Sequence, residues 1–84
     1  MKINKDIIAA QIRTAEHSGC LEIKDHRGNL LSLQDGKFYI NGVEQLKTKP
    51  VRDNMLLESF KLSRQVKLNG KTYIRNGSGW VVCN

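Results

Sequence analysis

Four side chains in this sequence have the types that bind metals or attack as nucleophiles: His17, Cys20, His26 and Cys83. His17 and Cys20 stand in a His-x-x-Cys spacing, and zinc accepts such a mixture of imidazole and thiolate ligands. Strong zinc signals set one close pair of ligands against a second close pair, whereas His26 and Cys83 are single and far apart in sequence. A histidine at a helix end and two packed cysteines account for the same residues, so no metal is expected. A thiol nucleophile would need a base positioned beside it and tuned by its surroundings, and no motif surrounds either cysteine. The glycine-rich run Asn76-Gly77-Ser78-Gly79 would cradle phosphate only if it opened a helix. It falls between two strand-like segments and reads as a hairpin tip. The chain is therefore expected to be no enzyme and to carry no cofactor.

What remains is electrostatic. The net charge is +6, and it is unevenly distributed along the chain. Residues 1–46 balance six basic side chains (Lys2, Lys5, Arg13, Lys24, Arg27, Lys37) against six acidic ones, whereas residues 47–84 set eight basic side chains against only Asp53 and Glu58. The basic residues of the second half are Lys47, Lys49, Arg52, Lys61, Arg64, Lys67, Lys71 and Arg75. A one-sided cluster of this kind attracts polyanions and speeds encounter with them. Tyr73 lies among these cations, and Tyr39 lies next to Lys37 on the polar side of its strand pattern. Cations that take phosphates beside rings that stack bases are the ingredients of sequence-tolerant single-strand binding. Those ten side chains together with Lys37 form the candidate nucleic-acid site. An acidic protein surface looks like a nucleic acid at long range. The alternative is therefore an inhibitor or adaptor docking on an acidic, nucleic-acid-handling protein, with Trp80, Tyr73, Tyr39 and Arg75 as anchors. Compact basic chains of this size are of the sort that mobile elements and phages encode.

The elements that must position these groups can be read from periodicity. Ile3, Ile7, Ile8, Ile12 and Ala15 form one stripe of a helix spanning about residues 5–18, with Asn4 as its cap, Ile3 and Ile8 at staple positions, and Gly19 as its stop. From Cys20 the period changes to two, giving half-buried antiparallel strands. Asp35-Gly36 and Asn41-Gly42 are two-residue hairpin signals. The first places Leu33 opposite Phe38 and Leu31 opposite Ile40; the second brings Gln45 onto the same apolar side, so a bulge or a strand end is expected there. Thr48 to Pro50 breaks the pattern, and Met55, Leu56, Leu57 and Phe60 predict a second helix over 51–64, capped by Asp53 or Asn54. Strands over 66–68, 71–75 and 80–83, joined by Asn69-Gly70 and the 76–79 loop, make a C-terminal β-meander.

The expected architecture is one α+β domain spanning 1–84: an N-terminal helix packed on an antiparallel sheet of short hairpins, then the second helix and the meander. At 84 residues the core is small, and a homodimer would bury more apolar surface. The chain opens directly into an amphipathic pattern without a signal-like or membrane-spanning run, and two lone cysteines fit a reducing compartment, so a cytoplasmic location is expected. The expected function is a small, basic, non-enzymatic nucleic-acid-binding accessory or regulatory protein. RNA or single strands are favoured over duplex DNA because no basic recognition helix is visible.

Overall fold

Asn4 stands in extended backbone, and its side-chain oxygen accepts from the amides of Asp6 (3.0 Å) and Ile7 (3.1 Å), which starts helix α1, Lys5–Ala15, where the sequence marks it. This computed structural model describes residues 3–83. Lys2, one of the basic side chains counted above, lies outside them. After α1 come the strands β1 (Cys20–Asp25), β2 (Leu30–Gln34), β3 (Lys37–Ile40) and β4 (Val43–Gln45), then helix α2 (Lys49–Lys61), then β5 (Ser63–Leu68), β6 (Lys71–Asn76) and β7 (Gly79–Cys83). All strands join one seven-stranded antiparallel sheet in the order β4-β3-β2-β1-β5-β6-β7. The two meanders therefore meet at the centre, where β1 pairs with β5.

The register follows the turn chemistry. Asp35, Asn41 and Asn69 adopt φ of 49°, 52° and 48°, each followed by a glycine at positive φ, as type I′ turns demand. Leu33 then faces Phe38 and Leu31 faces Ile40, as the alternation predicts. Gln45 pairs with Phe38 on the apolar side, and β4 ends there without a bulge.

Both helices lie on one face of the sheet. Ile8, Ile12 and Ala15 of α1 and Leu56 and Phe60 of α2 pack in one cluster with Leu21, Ile23, Leu31, Leu33, Phe38, Val66 and Leu68. Six of these side chains (Ile8, Leu21, Ile23, Leu33, Leu56, Val66) are fully buried. Burying a Val, Leu or Ile completely contributes about 1.5–3 kcal/mol, so this layer contact is the main source of stability.

The second helix is real, but it starts earlier and ends earlier than 51–64. Thr48 is its N-cap, although without a side-chain cap hydrogen bond, and Pro50 sits in the first turn, where its missing amide costs nothing. Asp53 and Asn54 are interior helical residues, not caps. At the far end the chain turns at Leu62, and β5 begins at Ser63 rather than at Val66 because Ser63 already pairs with Asp25 of β1. The register slips between Lys24 and Asp25, which leaves Arg64 as the extra residue of a β-bulge.

Candidate functional site

Alternation along each strand sends every second side chain away from the helices. Reading across the pairing registers, the uncovered face carries Glu44, Tyr39, Ser32, Glu22, Lys67, Thr72 and Cys83 in one row. A flanking row holds Leu30, Lys24, Gln65, Ile74 and Val81, and on the other side Cys20, Gln34 and Lys37 line up. Among the described residues no element covers this face. Near its centre Glu22, Lys24, Leu30, Gln65, Lys67 and Thr72 surround a shallow depression of about 390 Å³. Lys67 reaches Glu22 at 3.8 Å, and the Lys67 side chain remains 44% exposed, so this pairing is loose. Lys24 and Lys67 sit on adjacent strands one diagonal step apart, about 8 Å between their Cα atoms for ordinary sheet spacing.

The sequence-derived site residues do not gather on this face. Tyr39 and Lys37 lie on it, as does Lys67. Tyr73 and Trp80 face the helices instead and are 5% and 7% exposed. The Trp80 ring stacks on Phe60 of α2, with centroids 5.9 Å apart and planes 12° from parallel. Arg75 lies over the same indole at 4.5 Å and donates from Nε to the Ser63 carbonyl (2.8 Å) and from Nη2 to the Phe60 carbonyl (3.3 Å). These three residues fasten the β6–β7 hairpin to the end of α2. Neither Trp80 nor Tyr73 offers an open ring face for a base to stack on.

Several of the other cations are spoken for by carboxylates. Arg52, 8% exposed, donates to Glu16 at 2.6 Å and to Asp53 at 2.8 Å, and Lys49 also reaches Glu16. Lys49 donating to Glu16, together with Arg52, holds the Glu16 carboxyl below its ordinary range against the opposing effect of burial. Lys61 pairs with Glu58 one helical turn away. Among the second-half cations of the described residues, Arg75 bonds to backbone carbonyls instead of a carboxylate, and Lys47, Arg64 and Lys71, also without an ion-pair partner, sit respectively in the β4–α2 loop, at the β5 bulge and at the β5–β6 turn. The single contiguous patch expected from the second half is therefore not what the fold builds. Charge excess in sequence became cross-links between α1 and α2, and the sheet order places β5 beside β1 of the balanced half.

The cysteines and histidines are likewise dispersed. His17 follows α1, and His26 sits in the β1–β2 loop with its amide donating to the Leu62 carbonyl at 3.0 Å. Cys20 is half-buried at the start of β1, where burial and then Glu22 push its thiol up, away from the reactive thiolate. Cys83 is exposed on β7 rather than packed inside. Among the described residues no group of three or more His, Cys, Asp or Glu side chains converges on a point, and no helix is long and apolar enough to cross a membrane.

Sequence reasoning set Lys24 near Tyr39 and Lys37 on the polar face, as the registers place it, but left Gln34, Gln65 and Thr72 out of the site. The signal was present in the strand alternation, but which strands lie side by side could not be read from it. Comparison with protein-family models, with curated proteins and with solved structures found no match to this chain.

Proposed function

We propose that this protein is a non-enzymatic module that binds single-stranded nucleic acid, RNA in particular, across the uncovered face of its sheet. The observation that carries the reading is that face itself. It is a broad antiparallel surface free of helices, with Lys24, Lys37 and Lys67 for phosphates, Tyr39 for stacking, and the amide and hydroxyl side chains of Gln34, Gln65, Ser32 and Thr72 for hydrogen bonds. Open sheets that splay bases on their surface suit single strands, because duplexes hide base edges from a flat surface. The free thiols Cys20 and Cys83 fit a reducing location, and we place the protein in the cytoplasm.

The test is fluorescence anisotropy with a labelled oligonucleotide of about 12 residues. Three lysine–phosphate contacts give a log–log salt slope of about −2 for a single strand, or roughly a twentyfold loss of affinity between about 50 and 200 mM salt. Lys24→Ala or Lys37→Ala should each flatten the slope by about 0.7. Glu22→Gln, which frees Lys67, should strengthen binding. No binding at about 100 μM protein in low salt, or slopes indifferent to all three substitutions, would remove the reading. The second reading is an acidic protein partner, and Glu22 in the middle of the lysines favours it, because mixed charge suits a folded surface better than a uniform polyanion. In that case Glu22→Gln would weaken binding, because a partner cation would lose its mate.

A further inference from the structure

The two edges of the sheet differ. β4 is three residues long and carries Glu44, with Lys47 close behind it, which are ordinary defences of an edge against unwanted pairing. β7 is five residues long, Gly79-Trp80-Val81-Val82-Cys83, with no charged side chain and no proline. Its two valines are 49% and 41% exposed, and Ile74, the β6 partner of Val81, is 42% exposed. α1 packs over β1 and β2 and α2 over β1 and β5, with Phe60 stacking on Trp80 from the end of α2, and among the described residues no strand pairs with the outer edge of β7.

We infer that β7 is a homodimerisation edge that pairs antiparallel with β7 of a second copy, with Val81 on the twofold axis. The register follows from the hairpin. β6 and β7 are joined by the two-residue turn Gly77-Ser78, with Gly77 at φ 63°, so Asn76–Gly79 is the hydrogen-bonded closing pair and bonded pairs alternate from there. Gly79, Val81 and Cys83 thus spend their backbone groups on β6, while the amides and carbonyls of Trp80 and Val82 point to the free edge. Centring the dimer on Val81 sets Trp80 opposite the second copy's Val82 and satisfies all of these groups, about four hydrogen bonds in total. Registers centred on Trp80 or Val82 pair only one of the two residues within the strand.

The same register covers the exposed apolar side chains. Val81 meets its own copy on the helix-free side, extending the Ile74–Val81 pair, and Val82 meets Trp80 on the helix side. No like charges are opposed along the seam, despite the net charge of +6 on each copy. A twofold axis perpendicular to the sheet keeps both pairs of helices on one side, so the two uncovered faces form one continuous surface. This pairing is independent of what that surface binds.

Two measurements test it with the full chain. Sedimentation from about 10 μM to 1 mM should show the mass rising from monomer towards dimer, because a seam of one strand belongs among the weak interfaces. Val82→Pro removes an outward amide without touching the β6 ladder, so it should leave the circular dichroism spectrum unchanged and hold the protein monomeric. As a second approach, Val81→Cys in a Cys20→Ser, Cys83→Ser background places two thiols at a non-hydrogen-bonded pair, about 4.5 Å between Cα atoms and within disulfide range. It should cross-link under mild oxidation about tenfold faster than Val43→Cys on the β4 edge, a margin worth about 1.4 kcal/mol. A monomer throughout the concentration range, or equal cross-linking at the two edges, overturns the inference.

Discussion

Replacing Arg75 with lysine separates a structural role from a ligand-binding one, because the charge survives and the planar fork does not. In the structure the guanidinium donates to the Ser63 carbonyl at 2.8 Å and lies 4.5 Å from the Trp80 ring. The longer contact to the Phe60 carbonyl adds little, since that oxygen already accepts from the Ser63 hydroxyl at 2.7 Å. One hydrogen bond from a charged donor contributes about 1.5 kcal/mol, and an exposed cation–π contact about 0.5–1 kcal/mol. Arg75→Ala should therefore cost about 2 kcal/mol, and Arg75→Lys, which recovers part of both contacts, about 1 kcal/mol. For a domain of this size each kcal/mol lowers Tm by about 4–8 °C, so the expected drops are about 8–16 °C for alanine and about 4–8 °C for lysine. Thermal unfolding followed by circular dichroism reads both. If Arg75→Lys melts with the wild type while oligonucleotide binding falls, the residue serves a ligand and the fastening described above is wrong.

Three further outcomes follow from the same packing. Trp80→Ala should cost about 3–5 kcal/mol, a large share of the roughly 4–13 kcal/mol expected for 84 residues; the wild-type indole should resist acrylamide quenching and ignore added oligonucleotide. Asn69 holds φ 48° and its side-chain oxygen accepts from the Cys20 amide at 3.2 Å, so in urea unfolding Asn69→Ala should cost about 2 kcal/mol and Asn69→Gly, which keeps the conformation but loses the bond, about 1 kcal/mol. Lys49 and Arg52 hold the Glu16 carboxyl below its ordinary value of about 4.5. Its depressed folded pKa makes its stabilisation complete above that value and lost as pH falls through the folded pKa, so the stability gap between wild type and Glu16→Gln should shrink steadily in acid titrations below about pH 4.5.

The local grammar of this protein was written in its sequence. Asn4 starts the first helix, which stops at Ala15 with Glu16 as its C-cap rather than running on to Gly19, and three Asn-Gly or Asp-Gly turns required positive φ and therefore hairpins. The period-two pattern then fixed which of Leu31, Leu33, Phe38 and Ile40 would share a face. All these signals act over a few residues, through sterics and short hydrogen bonds. The bounds of α2 were less legible, because a short apolar run fits helix or strand, and tertiary pairing of Ser63 with Asp25 decided where the helix stopped. The candidate site was the least legible part. Charge along a chain says nothing of which carboxylate will stand beside which lysine. Only the β1–β5 pairing and the packing of α1 on α2 brought Glu16 to Arg52 and set Lys67 beside Glu22 and Lys24 on the uncovered face. Trp80 and Tyr73, read as surface anchors, went inside for the same reason, while Tyr39 stayed on the uncovered face. The side of a strand that is buried depends on where the helices land, and that is a property of the assembled layers rather than of any segment.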